Sequence, residues 1–312
     1  MKIPHWDASR FEMSVVLSTT TCQRPYKSIG CHQNQFHSRP GHGYNLLTPI
    51  ICNMAIEKKL NEKQGHWILA KVGKRVLRPG GRGLTKVLID DMDIRPDDDV
   101  VEFAPGLGFT ANLVCARKPA SYTGVDNNEQ AASIAHRSIQ YNKVKMIIAD
   151  AADTTLPDAV ATKVYGEAML TMQSNEHKAA IIKEAARILK SGGYYGIHEL
   201  SLVPDSLSED VRLYVYKELS SNIRVHARPL TTSEWTQLLE ENGFTVIKVS
   251  HNPMSLLELK RVVQDEGLFR TLRIMFNVLT QKELRSRILL MRKTFRKHQP
   301  NIGAVAIVAR KG

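Results

Sequence analysis

The chain of 312 residues is predicted to be an α/β protein whose mostly parallel sheet is covered by helices on both faces. Short apolar runs alternate with helix-length segments from Asp99 to Leu200, and this alternation is typical of βα units. A turn containing Gly106 and Gly108 directly follows the first apolar run, where open α/β sheets place ligand-binding loops. The composition, 43% hydrophobic and 24% charged, is that of a globular domain.

Seven apolar runs are predicted as strands, with helices in the segments between most of them. The runs are DVVEFA, SYTGVD, VKMIIAD, KVYGEAM, YYGIHEL, FTVIKVS and GAVAIVARK. Helix-end signals support the intervening helices, since Ser174 can cap the segment NEHKAAIIKEAARILK. Thr231 and Glu234 likewise form a capping box at the start of a later helix.

The formal charge of +12 is concentrated near the carboxyl end of the chain. Residues 57–253 contain 25 basic and 25 acidic residues, whereas residues 254–312 contain 13 basic and 4 acidic residues. A neutral middle argues against a basic groove across the fold, so we expect no nucleic-acid partner. No apolar run approaches the roughly 18 residues that a membrane-spanning helix needs, and we expect a cytoplasmic protein.

Metal and disulfide sites are not expected in this chain. Three of its four cysteines lie in the first 56 residues, and this distribution does not support a disulfide-rich secreted domain. Together with nearby histidines they form a C-x8-C-H-x4-H pattern that continues to a third histidine and matches no zinc-site spacing. The residues of this pattern are Cys22, Cys31, His32, His37 and His42, and Cys52 lies outside it.

The stretch DVVEFAPGLGFTANL predicts a strand, a tight turn and the start of a helix. Free backbone N–H groups at such a turn attract an anion, as they do in dinucleotide-binding loops. Here Glu102 ends the strand, and a carboxylate at that place would repel a pyrophosphate and favour a cation. The expected ligand therefore carries an amino acid end and a positive centre.

This stretch and three later features resemble the class I S-adenosylmethionine-dependent methyltransferases. The family's first motif is an acidic residue before a G-x-G-x-G-like turn, in which Ala104 here replaces the first glycine. Asp126 matches its acid for the ribose hydroxyls, Asp150 matches its acid for the adenine amino group, and ILKSGGYYGIHEL resembles its fifth strand. The resemblance implies S-adenosyl-L-methionine as the cofactor. The cofactor-binding residues that it implies are Glu102, Ala104, Pro105, Gly106, Gly108, Asp126, Asn127, Asp150 and Ala151.

The resemblance also implies a Rossmann-like, doubly wound, seven-stranded sheet with helical cap insertions. Residues 1–56 lack any periodicity and are expected to be a disordered extension, with Met54 as an alternative biological start. Residues 57–312 are then the methyltransferase domain. Its expected parts are an N-terminal helical cap (57–95), a cofactor-binding core (96–250), a helical insertion (252–301) and a final strand (302–312).

The methyl acceptor is expected to be a small molecule, apolar or lipid-like, bound beneath the cap. A general base is needed only when the acceptor is protonated at rest. Glu167 and His198, near the ends of predicted strands, are the candidate catalytic residues. For His198, a hydrogen-bonded place in the core explains the sequence equally well.

Two other functions remain open from the sequence. A nicotinamide-dependent oxidoreductase would use a similar turn, although Glu102 and the missing third glycine disfavour it. A non-catalytic S-adenosylmethionine-binding or interaction protein would keep the same fold. The basic and apolar segments of 252–301 either cover the small-molecule site or make peripheral contact with an anionic membrane. The sequence does not predict the oligomeric state.

Overall fold

A mixed sheet of eight strands forms the centre of the fold in the computed structural model, which describes residues 65–224 and 226–312. The strands are β1 (Asp99–Phe103), β2 (Ser121–Asp126), β3 (Val144–Ile148), β4 (Ala161–Glu167), β5 (Leu189–Leu202), β6 (Leu230–Thr231), β7 (Phe244–Pro253) and β8 (Ile302–Lys311). Their spatial order is β3-β2-β1-β4-β5-β8-β7, with β6 beside β5. β8 is antiparallel to β5 and β7, and the other pairings are parallel.

Ten α-helices accompany this sheet in the described part of the chain. They are α1 (Gly65–Lys71), α2 (Gly81–Asp91), α3 (Phe109–Cys115), α4 (Glu129–Ser138), α5 (Asn175–Ile188), α6 (Glu209–Ile223), α7 (Thr232–Glu240), α8 (Leu259–Glu266), α9 (Leu268–Thr280) and α10 (Lys282–Lys297). Both expected caps are confirmed, because Ser174 accepts the N–H of His177 and Thr231 forms a capping box with Glu234. The alternation of strands and helices confirms the predicted α/β class.

The sheet has one strand more than the seven that were expected. All seven predicted runs form strands, and β6 is the eighth. β6 consists of Leu230 and Thr231, which pair with Ser201 and Leu202 of β5. A two-residue strand is too short to produce a periodic pattern, so the sequence could not reveal it.

Helices cover the sheet on both faces, as the sequence predicted. On one face α5 and α7 bury Ile182 and Trp235 against the strands. On the other face α2, α3 and α4 bury Leu88, Val114 and Ala135. The two apolar layers hold the parallel strands in register, with their carboxyl ends along one edge.

A helical cap made of α1, α6 and α8–α10 has its own apolar cluster, which includes Leu69, Val215 and Met291. The insertion 252–301 contributes three helices to this cap, α8–α10. No helix in residues 65–224 or 226–312 is long and apolar enough to cross a membrane.

A short segment after α1, residues 72–80, is fixed to the cap by a buried group of charges. Lys74 Nζ lies 3.7 Å from Asp265 Oδ2 and 3.7 Å from Glu266 Oε1. Glu266 also accepts the backbone N–H of Arg75 at 2.7 Å. Because a buried ammonium is costly unless it is paired, these contacts hold the segment at one place on α8.

Several predictions fall on residues that the structure does not describe. The extension 1–56, the alternative start at Met54 and the cysteine–histidine pattern all lie outside the described residues. They remain predictions.

Candidate active site

A cavity of about 530 Å³ lies between the carboxyl ends of the parallel strands and the cap. Its volume is within the range of small-molecule sites. We call the strand-end side the sheet wall, lined by Ala104–Leu107, Asp126–Asn128, Ala149–Ala151 and Glu167–Met169. We call the opposite side the cap wall, lined by Trp67, Leu69, Arg75, Leu77, Arg78, Ile223, Met254, Leu256, Met291 and Phe295.

The glycine-rich loop after β1 contributes Ala104, Pro105 and Gly106 to the sheet wall. Ala104 and Gly106 both have positive φ, +52° and +57°, and the nearest atom to a Cβ on Gly106 would be the Ala104 carbonyl oxygen at 4.0 Å. Ala104 is held in this conformation, uncommon for a residue with a side chain, while its N–H donates to the carbonyl of Val125 at 2.8 Å. The two positive φ angles fold the loop tightly against the carboxyl end of β1, and at Gly106 no side chain occupies the cavity.

Gly108 lies at the N-cap of α3 and is not part of the cavity lining. Its φ is +73°, and a Cβ there would lie 2.3 Å from Ser138 Oγ on α4. Glycine is needed at this position for the turn and for helix packing. Gly108 therefore has this structural role, and its contact with the cofactor stays a prediction.

Asp126 ends β2 and lines the cavity, followed by Asn127 and Asn128. Its Oδ1 accepts the N–H of Asn128 at 2.9 Å, and Asn128 in turn caps α4. Burial raises the pKa of the Asp126 carboxyl, and the Asn128 N–H opposes this shift. The second carboxylate oxygen accepts no hydrogen bond within the described residues and lies on the cavity lining, so it can accept from a ligand.

Asp150 and Ala151, in the loop after β3, also line the cavity. Asp150 Oδ1 accepts the N–H of Ala152 at 2.8 Å and lies 3.2 Å from His177 Nε2. Ala149 and Ile181 provide apolar surface nearby on the same lining. A flat apolar slot edged by a carboxylate suits an aromatic ring that carries an amino group.

Glu102 does not take the position that the sequence predicted. It is 1% exposed and lies outside the cavity lining. Tyr122 and Tyr165 both donate their hydroxyls to its Oε2, the latter at 2.6 Å. Burial raises the pKa of Glu102 to about 7, against the effect of the two tyrosines. The reason is that Glu102 is still within β1, so its side chain points to a face of the sheet and not past its edge.

Glu167, at the end of β4, lines the cavity but already has four donors. Its Oε1 accepts from Thr85 Oγ1 at 2.6 Å and its Oε2 from Arg78 Nε at 2.5 Å. Thr110 and His198 supply the other two hydrogen bonds. Burial raises the pKa of Glu167, but Arg78 and the other donors outweigh it and hold that pKa at about 2. A carboxylate with all its lone pairs in use is a poor general base.

His198, in β5, is fully buried and outside the cavity lining. Its Nδ1 lies 2.8 Å from Glu167 Oε1, and its Nε2 accepts the N–H of Gly80 at 3.1 Å. Because an N–H can only donate, Nε2 is unprotonated and Nδ1 carries the proton. The structure therefore favours the second explanation of this residue, a hydrogen-bonded core histidine.

Two arginines of the cap wall, Arg75 and Arg78, were not singled out from the sequence. Arg78 pairs with Glu167 and stacks over the ring of Phe109 at 5.5 Å. The Arg75 side chain is exposed and forms no ion pair within the described residues. Their only sequence signal is their place in the predicted cap, where no motif distinguishes them from other cations.

Glu199, adjacent to His198, is a third buried carboxylate on the lining, after Asp126 and Glu167. It accepts the backbone N–H groups of Met169, Leu170 and Thr171 and the Thr171 hydroxyl. These hydrogen bonds from Met169–Thr171 to Glu199 fix the loop that follows β4. The described residues contain no group of three His, Cys, Asp or Glu side chains that could hold a metal ion.

Comparison with known proteins is consistent with this geometry. Residues 100–193, which contain the sheet wall, match the family model of a methyltransferase domain. An uncharacterized protein of Haemophilus influenzae is 32% identical over 254 residues, covering 80% of this chain and 99% of that protein.

One further relative and one solved structure of similar fold carry descriptions of their own. A probable S-adenosylmethionine-dependent methyltransferase of Mycolicibacterium smegmatis is 29% identical over 47% of this chain and 52% of its own length. The geranyl diphosphate C-methyltransferase of Streptomyces coelicolor, solved with geranyl diphosphate and S-adenosyl-L-homocysteine, is 16% identical with a TM-score of 0.53. That likeness covers 74% of this chain and 79% of the other and shows the shared fold. The chain belongs to the class I S-adenosylmethionine-dependent methyltransferases, and S-adenosyl-L-methionine is its cofactor.

Proposed function

We propose that this enzyme transfers the methyl group to a small apolar acceptor that carries an anionic group and needs no general base. A carboxylate on an apolar chain is the simplest such acceptor. The proposal depends on one observation: every carboxylate and histidine lining the cavity has a hydrogen-bond partner within the described residues, whereas Arg75 has no ion pair there.

The sheet wall fits the cofactor in shape and in donor set. The loop backbone at Ala104–Gly106 leaves room for the amino acid end. The open oxygen of Asp126 can accept from the ribose hydroxyls, and Asp150 with its apolar neighbours can receive the adenine. Asn127 and Ala151 complete this set on the lining.

The absence of a free base limits the chemistry of the acceptor. Glu167 stays ionised over the whole working pH range, since its pKa is held at about 2. Both Glu167 oxygens already accept hydrogen bonds, and His198 is buried behind Glu167. An alcohol or an ammonium group would have to lose a proton before attack, and neither Glu167 nor His198, the two predicted catalytic residues, is free to take it. A carboxylate attacks without losing a proton.

The cap wall supplies the acceptor half of the cavity. Its side chains are mostly apolar, with Met254, Leu256, Met291 and Phe295 among them. The hydrophobic effect favours an apolar chain there, and the Arg75 guanidinium attracts an anion at one end. The similar Streptomyces coelicolor enzyme, named for geranyl diphosphate, acts on a molecule that combines apolar and anionic parts.

Catalysis would come mainly from placement and from exclusion of water. The bound cofactor supplies an electrophilic methyl group on a sulfonium. The cap wall holds the acceptor oxygen towards the sheet wall and keeps water out, which removes a competing nucleophile. The Glu167–Arg78 pair keeps the two walls at a fixed separation, so the acceptor meets the cofactor in one orientation.

The test is transfer of a radioactive methyl group from S-adenosylmethionine to matched acceptors. Decanoate, 1-decanol and decylamine share one apolar chain and differ in the attacking atom. We expect decanoate to be methylated at least roughly tenfold faster than the other two, because only it needs no base. Equal or faster transfer to the alcohol or the amine would contradict the proposal.

Acetate is the control for the apolar part of the proposal. It has the same carboxylate but no chain to occupy the cap wall, so its methylation should be far slower than that of decanoate. A rate for decanoate that does not change from pH 6 to pH 9 would further support a mechanism without a base. A bell-shaped profile in this range would argue for one.

A further inference from the structure

Helix α9 carries a stripe of apolar side chains on its outer face. Phe269 is 88% exposed and Phe276 is 65% exposed, and the rest of the stripe follows at helical spacing. The exposed stripe consists of Leu268, Phe269, Leu272, Met275, Phe276 and Leu279. Thr271 and Ile274 on the inner face already pack into the protein. The helix is thus apolar on the side that faces away from the core, which is unusual for a surface helix.

Cations surround this α9 stripe. Residues 268–297 contain nine Lys and Arg residues and a single acidic residue, Glu283. Arg273, Lys282 and Lys293 are exposed and form no ion pair within residues 65–224 and 226–312. A surface that is both apolar and cationic matches the boundary of an anionic lipid bilayer, where acyl chains and phosphate groups meet.

Helix α9 is hydrogen-bonded to the segment 72–80, which carries the cavity-lining Arg75. Asn277 on α9 donates to the carbonyl of Val72 in this segment at 3.1 Å. Arg270 Nε on α9 lies 3.9 Å from Glu266 Oε2, and Glu266 Oε1 accepts the backbone N–H of Arg75, which places these two arginines beside one carboxylate. Arg75 lines the cavity, so the cationic surface continues from α9 into the active site.

A second copy of the chain is a poorer partner for the α9 stripe. In a symmetric contact, the same cations would face one another across the interface, and like charges in contact are unfavourable. Helix α9 has 13 residues and is too short to span a bilayer, but an amphipathic helix of this kind can lie in its interface.

We propose that the α9 stripe binds the surface of a membrane containing anionic phospholipid, with the cavity entrance at the lipid boundary. Phe269, Phe276 and their apolar neighbours enter the region between headgroups and acyl chains, and the surrounding cations contact phosphate. This surface does not depend on which acceptor the enzyme methylates.

The test is flotation of the full chain with vesicles of phosphatidylcholine alone or with about a third phosphatidylserine. We expect binding to the anionic vesicles at least roughly tenfold tighter than to the neutral ones. The double variant Phe269→Ser/Phe276→Ser should lose at least roughly tenfold of this binding, since both side chains are exposed and their loss leaves the core intact. The variant Arg273→Gln/Lys282→Gln should bind anionic vesicles more weakly by about fivefold per cation removed and bind neutral vesicles unchanged.

A matched control uses exposed apolar residues elsewhere on the protein. Ile247 and Val249, on the edge strand β7, are 48% and 39% exposed. Replacing both with Ser should leave flotation unchanged, and thermal melting confirms that each variant is folded. Equal flotation of wild type and Phe269→Ser/Phe276→Ser, or no flotation with anionic vesicles, would overturn the proposal. So would a dimer of the wild type that this variant converts to a monomer, because a second copy would then cover the stripe.

Discussion

The sheet wall and the cap wall of the cavity are built by different means. The sheet wall uses backbone and carboxylates from short loops, each of which follows its own strand within a few residues. The cap wall uses apolar side chains and arginines from α1, α6, α10 and the segments near Arg75 and Met254, which are far apart in the sequence. Cofactor recognition by the sheet wall therefore depends on short local segments of the sequence, whereas acceptor recognition by the cap wall depends on tertiary packing.

One group of contacts joins the two walls. Glu167 belongs to β4 and Arg78 to the cap segment, and their ion pair is almost completely buried. Thr85, Thr110 and His198 complete the group from three further elements. The carboxylate predicted to move protons therefore serves to position the cap over the sheet.

The largest expected effect comes from breaking this connection with Glu167→Gln. The amide would leave the Arg78 guanidinium buried without a counter-charge, which costs about 3–5 kcal/mol of unfolding free energy. Urea unfolding measures this loss. The control Glu129→Gln, at an exposed carboxylate on α4, should change stability by less than about 0.5 kcal/mol. Equal stability of Glu167→Gln and wild type would mean that the pair does not hold the walls together.

The second prediction concerns Glu102, which lies behind the sheet wall. Its pKa is about 7 when folded, above the ordinary value of 4.5, so the folded state holds the proton more tightly. The contribution of Glu102 to stability is fully present below pH 4.5 and is lost as the pH rises through 7. Glu102→Gln is neutral at every pH and should therefore gain stability over wild type above pH 7, by at most about 3 kcal/mol.

Urea unfolding of wild type and Glu102→Gln between pH 5 and pH 8 measures this gain. Glu167 does not interfere, because its lowered pKa gives a stability contribution that is present above pH 4.5 and lost as the pH falls through 2. Calorimetry should find the same affinity for S-adenosylmethionine in Glu102→Gln and wild type. A clear loss of affinity in Glu102→Gln would mean that Glu102 binds the cofactor after all.

The third prediction tests the sheet wall itself. Asp126→Ala should weaken binding of S-adenosylmethionine and S-adenosylhomocysteine by about 10- to 100-fold, because a charged acceptor for the ribose hydroxyls is lost. Isothermal titration calorimetry gives both affinities. The control Asp97→Asn removes an exposed acid at the opposite end of β1 and should bind both ligands like wild type. Unchanged affinity in Asp126→Ala would show that the ribose assignment is wrong.

The smallest expected effect belongs to the cap wall. Arg75→Ala should raise the KM for decanoate about fivefold and leave kcat nearly unchanged, because an exposed cation contributes about 1 kcal/mol to binding an anion. Steady-state kinetics at saturating S-adenosylmethionine separates the two constants. Arg137→Ala, an exposed arginine on α4 away from the cavity lining, is the matched control. A lower kcat with an unchanged KM would place Arg75 in the reaction step and not in acceptor binding.

Most of the fold and the cofactor chemistry could be predicted because their signals are local. Strand runs, helix caps and the carboxylates Asp126 and Asp150 each depend on a few consecutive residues. The family assignment agrees with that prediction and decides against a nicotinamide-dependent oxidoreductase and a non-catalytic protein. The strand β6 was missed because two residues carry no periodic pattern.

The side-chain partners of the predicted acids could not be read from the sequence. Glu102, Asp126 and Glu167 all lie near strand ends in the sequence. In the structure Glu102 is buried behind the sheet wall and Asp126 faces the cavity, whereas both oxygens of Glu167 accept hydrogen bonds. Their partners Tyr122, Tyr165 and Arg78 lie 20 or more positions away along the chain.

The sequence by itself determined the α/β class, the loop that follows β1 and the methyl donor, because each rests on spacing within a short segment. Tertiary structure alone decided that Asp126 faces the cavity and that Arg75 forms no ion pair there within the described residues. It also decided that the α9 stripe lies on the outer surface of the protein. The physical reason is that the state of a charged or apolar side chain depends on its partners and its burial. Both are set by segments that the chain brings together only when it folds.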